Sequence, residues 1–202
     1  IFCDDFESFA TPDEKFTGTF GYGGGANAFD TTHYVSPTHA ITFTTPATPS
    51  TLAFSYVLSE ATNVTTPSVS VRAALRIHQI DPTQSVPLLR ATYNSGGGHV
   101  SFDIVATTGA LALAVTSPAG DGGNATAGWP LTPLAADEWI TVRLDVTTLS
   151  AAQANATVFL NGKQALSMQV PVPKPGDGVR DANIGIVYLT GSTVAASVVE
   201  EL

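Results

Sequence analysis

Charged residues are scarce in this chain. Lysine, arginine, aspartate and glutamate make up 12% of its 202 residues, about half of their share in an average soluble protein. Acidic residues outnumber basic ones by 17 to 8, so the formal net charge is −9. Because the chain offers no basic surface to displace counterions, its composition argues against nucleic acids and anionic membrane surfaces as partners.

Cysteine and long hydrophobic runs are also missing. Cys3 is the single cysteine, so no disulfide can form within the sequence, and Cys3 is either a small buried residue or bonded to a residue outside it. No apolar run reaches the ~18 residues of a membrane span, and no signal-peptide pattern opens the chain. We therefore expect no membrane insertion by this segment. The low charge, the many threonines and the few lysines favour a mature segment of an extracellular or cell-surface protein.

No segment repeats its apolar residues with the 3.6-residue period of an amphipathic helix. Alternation is frequent instead, most clearly in residues 139–147, where Ile140, Val142 and Leu144 are predicted to face a core. Residues 156–160 alternate in the same way and end at Asn161-Gly162, a dipeptide typical of a type I′ hairpin turn. These residues therefore predict an antiparallel β unit.

About a dozen alternating runs are joined by short segments rich in glycine, proline and asparagine, which predicts an all-β antiparallel sandwich or barrel. Internal repeats of ~20–50 residues are not visible, which disfavours propellers and solenoids. We expect a single domain over residues 1–202, since sandwiches of ~200 residues commonly form one domain. Two segments are predicted to be loops, namely the glycine-rich residues 18–28 and the stretch around Trp129.

Three strand motifs and the opening residues resemble one family of jelly rolls. The motifs are Gly109-Ala110-Leu111, then Trp139, Val142 and Leu144, then Val158, Leu160, Asn161 and Gly162, and the opening is Cys3-Asp4-Asp5-Phe6-Glu7. This pattern resembles the laminin-G-like, concanavalin A-like lectin/glucanase domains of bacterial surface or secreted proteins. The resemblance implies an antiparallel jelly-roll β-sandwich with Trp139 in its core and the last strand, residues 197–202, beside the first. Function varies widely within that fold.

The catalytic residue sets of related jelly rolls are missing. The glucanases carry an E-x-D-x-x-E strand, and glycoside hydrolysis needs such paired carboxylates, but that spacing is absent from this sequence. The polysaccharide lyases carry Y-x-K-A-G-x-Y, whereas the comparable residues 185–191 contain one tyrosine and no lysine. The four histidines lack the spacing of a zinc site, and no G-x-S-x-G elbow is present. We therefore predict no catalytic residues.

Eight residues are candidates for ligand binding. Arginine and histidine on the outward face of the strand at residues 69–80 have the chemistry to neutralise a uronate and to move a proton, and further polar residues are expected on neighbouring strands. Trp129 and Phe159 are candidates for exposed rings on which a sugar stacks. The full set is Arg72, Arg76, His78, Arg90, His99, Asp103, Trp129 and Phe159. The alternative for the charged members is a solvated sheet face without a ligand.

Calcium is the one cofactor that the sequence suggests, because it binds several carboxylate oxygens at once. One candidate site lies where the two ends of the chain are expected to pair, with Asp4, Asp5 and Glu7 near Glu200. A second lies in the loops with Asp121, Asp177 and Asp181. Acidic residues of a protein with this net charge can equally be solvated.

Three functions remain open at this point. We favour a non-catalytic glycan-binding or adhesion module at a cell surface, because the catalytic sets of the family are missing. The second hypothesis is a structural jelly-roll domain that assembles with other surface proteins through its hydroxyl-rich strands. The third is a polysaccharide lyase or hydrolase whose motifs have diverged.

Overall fold

The computed structural model describes residues 16, 18–35, 40–60, 68–81, 83–95, 98–107, 109–118, 124–133, 135–150, 153–171, 175–192 and 194–201. Within these ranges the chain forms fourteen strands and no helix. The strands are β1 Gly18–Tyr22, β2 Ala26–Asp30, β3 Ala40–Thr45, β4 Thr48–Glu60, β5 Ser68–Gln79, β6 Val86–Ser95, β7 Gly98–Thr107, β8 Ala110–Pro118, β9 Asn124–Pro133, β10 Trp139–Ser150, β11 Gln153–Leu160, β12 Lys163–Pro171, β13 Pro175–Ser192 and β14 Ala196–Glu201. No helix in these ranges is long and apolar enough to cross a membrane.

The strands form two seven-stranded sheets, and their pairings are antiparallel. We call the sheet with the order β1-β4-β13-β6-β7-β8-β9 the first sheet and the one with the order β12-β11-β10-β5-β14-β3-β2 the second sheet. Buried residues of both sheets form one hydrophobic core between them. The Tyr93 side chain on β6 extends across this core, and its hydroxyl donates a hydrogen bond of 3.2 Å to the carbonyl oxygen of Val146 on β10. The predicted antiparallel jelly-roll β-sandwich is thus confirmed.

Alternation along β10 separates a core row from an outer row. Val142, Leu144 and Val146 are fully buried, and the intervening Arg143 and Asp145 are partly exposed. The prediction for Val142 and Leu144 is confirmed, whereas Ile140 is only half-buried against the core. Each fully buried aliphatic side chain of this row stabilises the fold by about 1.5–3 kcal/mol, so the core row fixes which face of β10 is inside.

The turn between β11 and β12 is the one expected from Asn161-Gly162. Both residues have positive φ angles, 48° and 76°, which the type I′ turn requires and which asparagine and glycine tolerate. The Asn161 backbone N–H also donates to the carbonyl oxygen of Thr141 at 2.8 Å, and its side-chain oxygen accepts from the Thr141 N–H at 2.9 Å. This predicted hairpin is confirmed.

Both segments that we predicted to be loops contain strands. Residues 18–28 include β1 and the start of β2, with a turn at Gly23 and Gly24 where φ is positive. The prediction failed because glycine there serves close packing: a Cβ on Gly25 would collide with the carbonyl oxygen of Phe54. The prediction of a loop around Trp129 is also wrong. That stretch belongs to β9, where Trp129 pairs with Leu113 and packs its half-buried ring against the core.

The last strand, β14, lies between β3 and β5, and residues 197–200 pair with both of them. The opening segment that the resemblance implied as a neighbour of this strand, with Asp4, Asp5 and Glu7, lies outside the described residues, so that pairing stays a prediction.

Candidate functional site on the outer face of the first sheet

Polar side chains of three adjacent strands meet on the outer face of the first sheet. Tyr93 faces the core, so the alternating Arg90 of β6 faces outward, and the register places it opposite Asp103 of β7. On the other side Asn183 of β13 pairs with Arg90, and Asp181 pairs with Thr92. Together with their bonded neighbours and one tyrosine these residues form what we call the polar cluster. It comprises Tyr56, Arg90, His99, Ser101, Asp103, Arg180, Asp181 and Asn183.

Arg90 and Asp103 form a two-bond ion pair in which the carboxylate is buried and the Arg90 side chain is 27% exposed. Arg90 Nε donates to Asp103 Oδ1 at 2.6 Å and Nη2 donates to Oδ2 at 3.1 Å, while the hydroxyl of Ser101 donates to Oδ2 at 3.1 Å. Asp103 is 3% exposed. Burial acts to lower the pKa of Arg90, but the hydrogen-bonded carboxylate of Asp103 more than offsets it, so the net shift is upward. The guanidinium is therefore held in one orientation, with Nη1 outside the two-bond pair.

A second chain of contacts runs along β13 and ends on β7. Asn183 Nδ2 donates to Asp181 Oδ1 at 3.0 Å, and Arg180 Nε lies 3.3 Å from Asp181 Oδ2. Arg180 Nη1 lies 2.7 Å from His99 Nε2. Since a guanidinium can only donate, Nε2 of His99 accepts this bond, and the neutral ring carries its proton on Nδ1. The lone pair of His99 is therefore already engaged.

Tyr56 on β4 borders the charged groups. Burial raises the pKa of its hydroxyl above the ordinary value, the carboxylate of Asp181 raises it further, and Arg90 partly opposes both. At neutral pH the phenol therefore keeps its proton and acts as a hydrogen-bond donor.

Four aromatic rings of β1 and β4 adjoin the polar cluster, and we call them the aromatic wall: Phe20, Tyr22, Phe54 and Tyr56. Phe20 stacks on Tyr56 with ring centroids 5.2 Å apart, and Tyr22 stacks on Phe54 at 5.5 Å. Phe54 and Tyr56 are tilted neighbours at 5.4 Å. Tyr56 thus belongs to both the wall and the polar cluster.

The predicted ligand-binding residues do not meet on one surface. Arg90, His99 and Asp103 lie on the outer face of the first sheet, whereas Arg72, Arg76 and His78 lie on β5 in the second sheet, and Phe159 lies there on β11. The expectation that the two groups occupy neighbouring strands is wrong, because the chain crosses between the sheets from β5 to β6. The hydrophobic core separates them.

The polar contacts on the outer face of the second sheet are mostly exposed to solvent. Arg143 stands over the ring of Phe159 with its guanidinium carbon 3.9 Å from the ring centroid. His78 Nδ1 lies 2.9 Å from Asp137 Oδ1, and Arg76 Nε donates to the Asp137 carbonyl oxygen at 3.0 Å. A hydrogen bond to His78, more than nearby Arg76, lowers the pKa of Asp137. Arg72 is exposed beside Arg143 in the register.

The residues that we predicted to bind calcium lie mostly outside the described ranges. Asp4, Asp5, Glu7 and Asp121 are among them, so the calcium sites stay predictions. Within the described ranges no group of three or more histidine, cysteine, aspartate or glutamate side chains could hold a metal ion. Asp181 is engaged by Asn183 and Arg180.

Sequence reasoning missed the aromatic wall, Asn183 and Arg180. The alternation of residues 52–58 was visible, with Phe54 and Tyr56 on one row and Ala53 and Ser55 on the other. Ala53 and Ser55 are the fully buried row, which is the opposite of what side-chain size suggests. Small residues in a core row leave room for the facing sheet, so side-chain size along this strand did not indicate which row is buried.

No family model and no curated protein sequence matches the chain. Solved structures do resemble it. An endo-β-1,4-glucuronan lyase from the fungus Trichoderma reesei superposes with a TM-score of 0.75 at 15% identity, over 92% of this chain and 88% of that one. The cellulose-induced protein Cip1 gives 0.63 at 18% identity, over 98% and 93%. The alginate lyase vAL-1 from Chlorella virus gives 0.61 at 9% identity, over 86% and 87%. These likenesses show a shared jelly-roll β-sandwich fold.

Proposed function

We propose that this chain is a non-catalytic polysaccharide-binding module of an extracellular or cell-surface protein, and that the polar cluster holds the sugar. Structures of this fold include lyases of glucuronan and alginate and a cellulose-induced protein, which supports a carbohydrate ligand. The proposal of an extracellular location is checked by labelling intact cells with a membrane-impermeant reagent, since a protein that stays unlabelled would contradict it.

The observation that carries the proposal is the fixed orientation of polar groups on an outer sheet face. Asp103, Asp181 and Asn183 are each no more than 9% exposed. The two bonds from Asp103 hold Arg90 in place, and the more exposed Arg180 lies 3.3 Å from Asp181. Binding sites use a few such positioned polar groups to fix a ligand. Because these side chains are already ordered, binding loses little conformational entropy. Sugar hydroxyls and carboxylates are suitable partners for the planar Arg and Asn groups.

Proton chemistry is less well supported than binding. A lyase needs a base to remove a proton from the sugar and a group to neutralise the neighbouring carboxylate. The Nε2 lone pair of His99 is occupied by Arg180, and the raised pKa of Tyr56 keeps its phenol protonated. Neither group is prepared to accept a proton.

A polyuronate lyase is the second candidate, favoured by one observation. The hydroxyl of Tyr56 shares its surroundings with Arg90 and Asp181, so a proton donor and a carboxylate-neutralising cation belong to the same cluster. Incubation with glucuronan and alginate, followed by ultraviolet absorbance of unsaturated uronate ends, tests this reading. Steady product formation that Tyr56→Phe abolishes would replace the binding proposal by the lyase.

Calorimetric titration with glucuronan, alginate and cello-oligosaccharides tests the binding proposal. We expect saturable binding of at least one polymer, and we expect Asn183→Ala to weaken it about tenfold, the loss of roughly one hydrogen bond to a charged or polar partner. The matched control is Arg72→Ala on the opposite face, which should leave affinity unchanged. Equal weakening by both variants, or no binding of any polysaccharide, would overturn the proposal.

A further inference from the structure

Exposed aromatic rings concentrate beside the polar cluster. Among the described residues five large hydrophobic side chains are exposed, including Phe20 at 38%, Tyr22 at 58% and Tyr188 at 47%. Phe20 and Tyr22 belong to the aromatic wall. Phe20 and Tyr22 therefore share one surface with the polar cluster, and exposed apolar patches of this kind mark binding sites.

The rings of the aromatic wall stack on one another across the two strands. The Phe20 and Tyr56 planes differ by 27° and the Tyr22 and Phe54 planes by 21°, so each ring of the edge strand is stacked on a ring of β4. Cross-strand aromatic pairs of this sort stabilise a sheet. Tyr22 nevertheless remains more than half exposed, so the internal stacking leaves ring surface available for a ligand.

We propose that the aromatic wall is a stacking subsite for the apolar ring faces of an extended polysaccharide whose polar groups are held by the polar cluster. This inference rests on the proposed function. Continuity between the two surfaces supports it, because Tyr56 stacks on Phe20 and its hydroxyl lies in the electrostatic field of Arg90 and Asp181. One ligand can therefore contact both.

The length of this surface selects a polymer rather than a single sugar. From β1 through β4 and β13 to β6 there are three strand-to-strand steps, or about 14 Å at ~4.8 Å per step. One six-membered sugar ring cannot cover that span. The chemistry along it also changes, since β1 carries no charged residue and the β6 end carries Arg90. The ligand class that fits is a chain of pyranose units with C–H faces at one end of the site and hydroxyl or carboxylate groups at the other.

Affinity as a function of chain length tests the inference. For the polymer that binds the wild type, we would titrate its oligomers from the monosaccharide to the hexasaccharide. We expect wild-type affinity to rise with length. Tyr22→Ala should weaken the affinity for the longest oligomers about tenfold, which is the scale of a lost ring stack. The affinity for the shortest ligand that binds should stay unchanged. Phe20→Ala is the second variant, and Tyr34→Ala, which removes a ring that is 43% exposed outside the wall, is the matched control.

The possible outcomes separate this inference from the proposed function. If Asn183→Ala weakens binding while neither wall variant changes any affinity, the polar cluster binds sugar and the stacking subsite is overturned. If no oligomer or polymer binds the wild type, the proposed function itself fails. If the wall variants convert a dimer into a monomer on size exclusion with unchanged sugar affinity, the wall contacts a second copy of the chain and the inference is wrong. Thermal unfolding midpoints show whether each variant is folded.

Discussion

The two outer faces of this sandwich carry similar residue types in different surroundings. On the first sheet the side chains of Asp103 and Asp181 are 4% and 12% exposed. The side chains of Asp137, in the turn before β10, and of Asp145 on the second sheet are 45% and 34% exposed. All four carboxylates have more than one polar partner. Both faces also pair arginine with aspartate. Burial, rather than residue type, therefore distinguishes the candidate site from a solvated surface.

The contribution of an ion pair to stability depends on this difference in burial. A solvent-exposed ion pair contributes about 0–1 kcal/mol because water and salt screen it. A buried pair is costly to break, since the partner left behind keeps an uncompensated charge away from water. We therefore expect substitutions on the first face to change stability more than equivalent ones on the second.

The largest expected effect is that of Asp103→Ala. It leaves the guanidinium of Arg90, whose side chain is 27% exposed, without its two-bond partner. We expect a loss of about 2–3 kcal/mol in the free energy of unfolding, at the upper end of the range for hydrogen bonds to a charged group, measured by urea denaturation. Asp145→Ala is the matched control on the second face, with an expected loss below about 1 kcal/mol. Equal losses of stability in Asp103→Ala and Asp145→Ala would contradict the expected difference between the two faces.

Asp30 is a well-bonded carboxylate at the end of β2, in the second sheet. Burial acts to raise its pKa, but hydrogen bonds from Thr32, His33 and Thr42 outweigh burial and hold the pKa well below the ordinary value. We expect Asp30→Ala to cost about 1–3 kcal/mol at pH 7, the range of hydrogen bonds to a charged group.

The pH dependence of that cost follows from the direction of the shift. The folded pKa is lower than the unfolded one, so the stabilisation is fully present above the unfolded value of about 4 and is lost as pH falls toward the folded pKa. Denaturation of wild type and Asp30→Ala between pH 7 and pH 2.5 should therefore show converging stabilities below about pH 4. A constant difference across this range would contradict the assignment.

Arg143→Ala should have a smaller effect. Its guanidinium stacks on Phe159 and lies 3.1 Å from Asp145 Oδ2, but the side chain is 42% exposed. We expect a loss of about 0.5–1 kcal/mol, with the ion-pair part decreasing at high salt. The measurement is urea denaturation at low and high sodium chloride, and a loss of several kcal/mol would show that this face is more ordered than its exposure indicates.

The smallest expected effect is on a titration. Asp181 raises the pKa of Tyr56, so Asp181→Asn should lower that pKa toward its ordinary value. Asp145→Asn, on the opposite face, should leave it unchanged. Alkaline titration of ring-labelled tyrosine by nuclear magnetic resonance, with Tyr56→Phe to assign the signal, measures both. An unchanged pKa in Asp181→Asn would separate Tyr56 from the polar cluster.

Much of the local structure could be predicted from residue patterns. The alternation in residues 139–147 placed Val142 and Leu144 in the core, and Asn161-Gly162 marked the hairpin that the structure contains. The loop predictions failed at residues 18–28 and at Trp129, because they used only local composition, whereas pairing with neighbouring strands holds these residues in extended form. Glycine and proline are enriched in loops, but β1 and β9 are edge strands whose ladders with β4 and β8 hold such residues in extended form.

The all-β class, the strand periodicity and one turn follow from residue patterns alone, since they depend on neighbouring residues and on a two-residue repeat. Which row of each strand is buried, and which strands are neighbours, depends on how the two sheets pack. Phe54 and Tyr56 lie outside and Ala53 inside because the facing sheet needs space there. Arg76 and Arg90 lie on opposite faces because consecutive strands enter different sheets. A period of two is the same for both rows, so only packing against the second sheet can tell inside from outside.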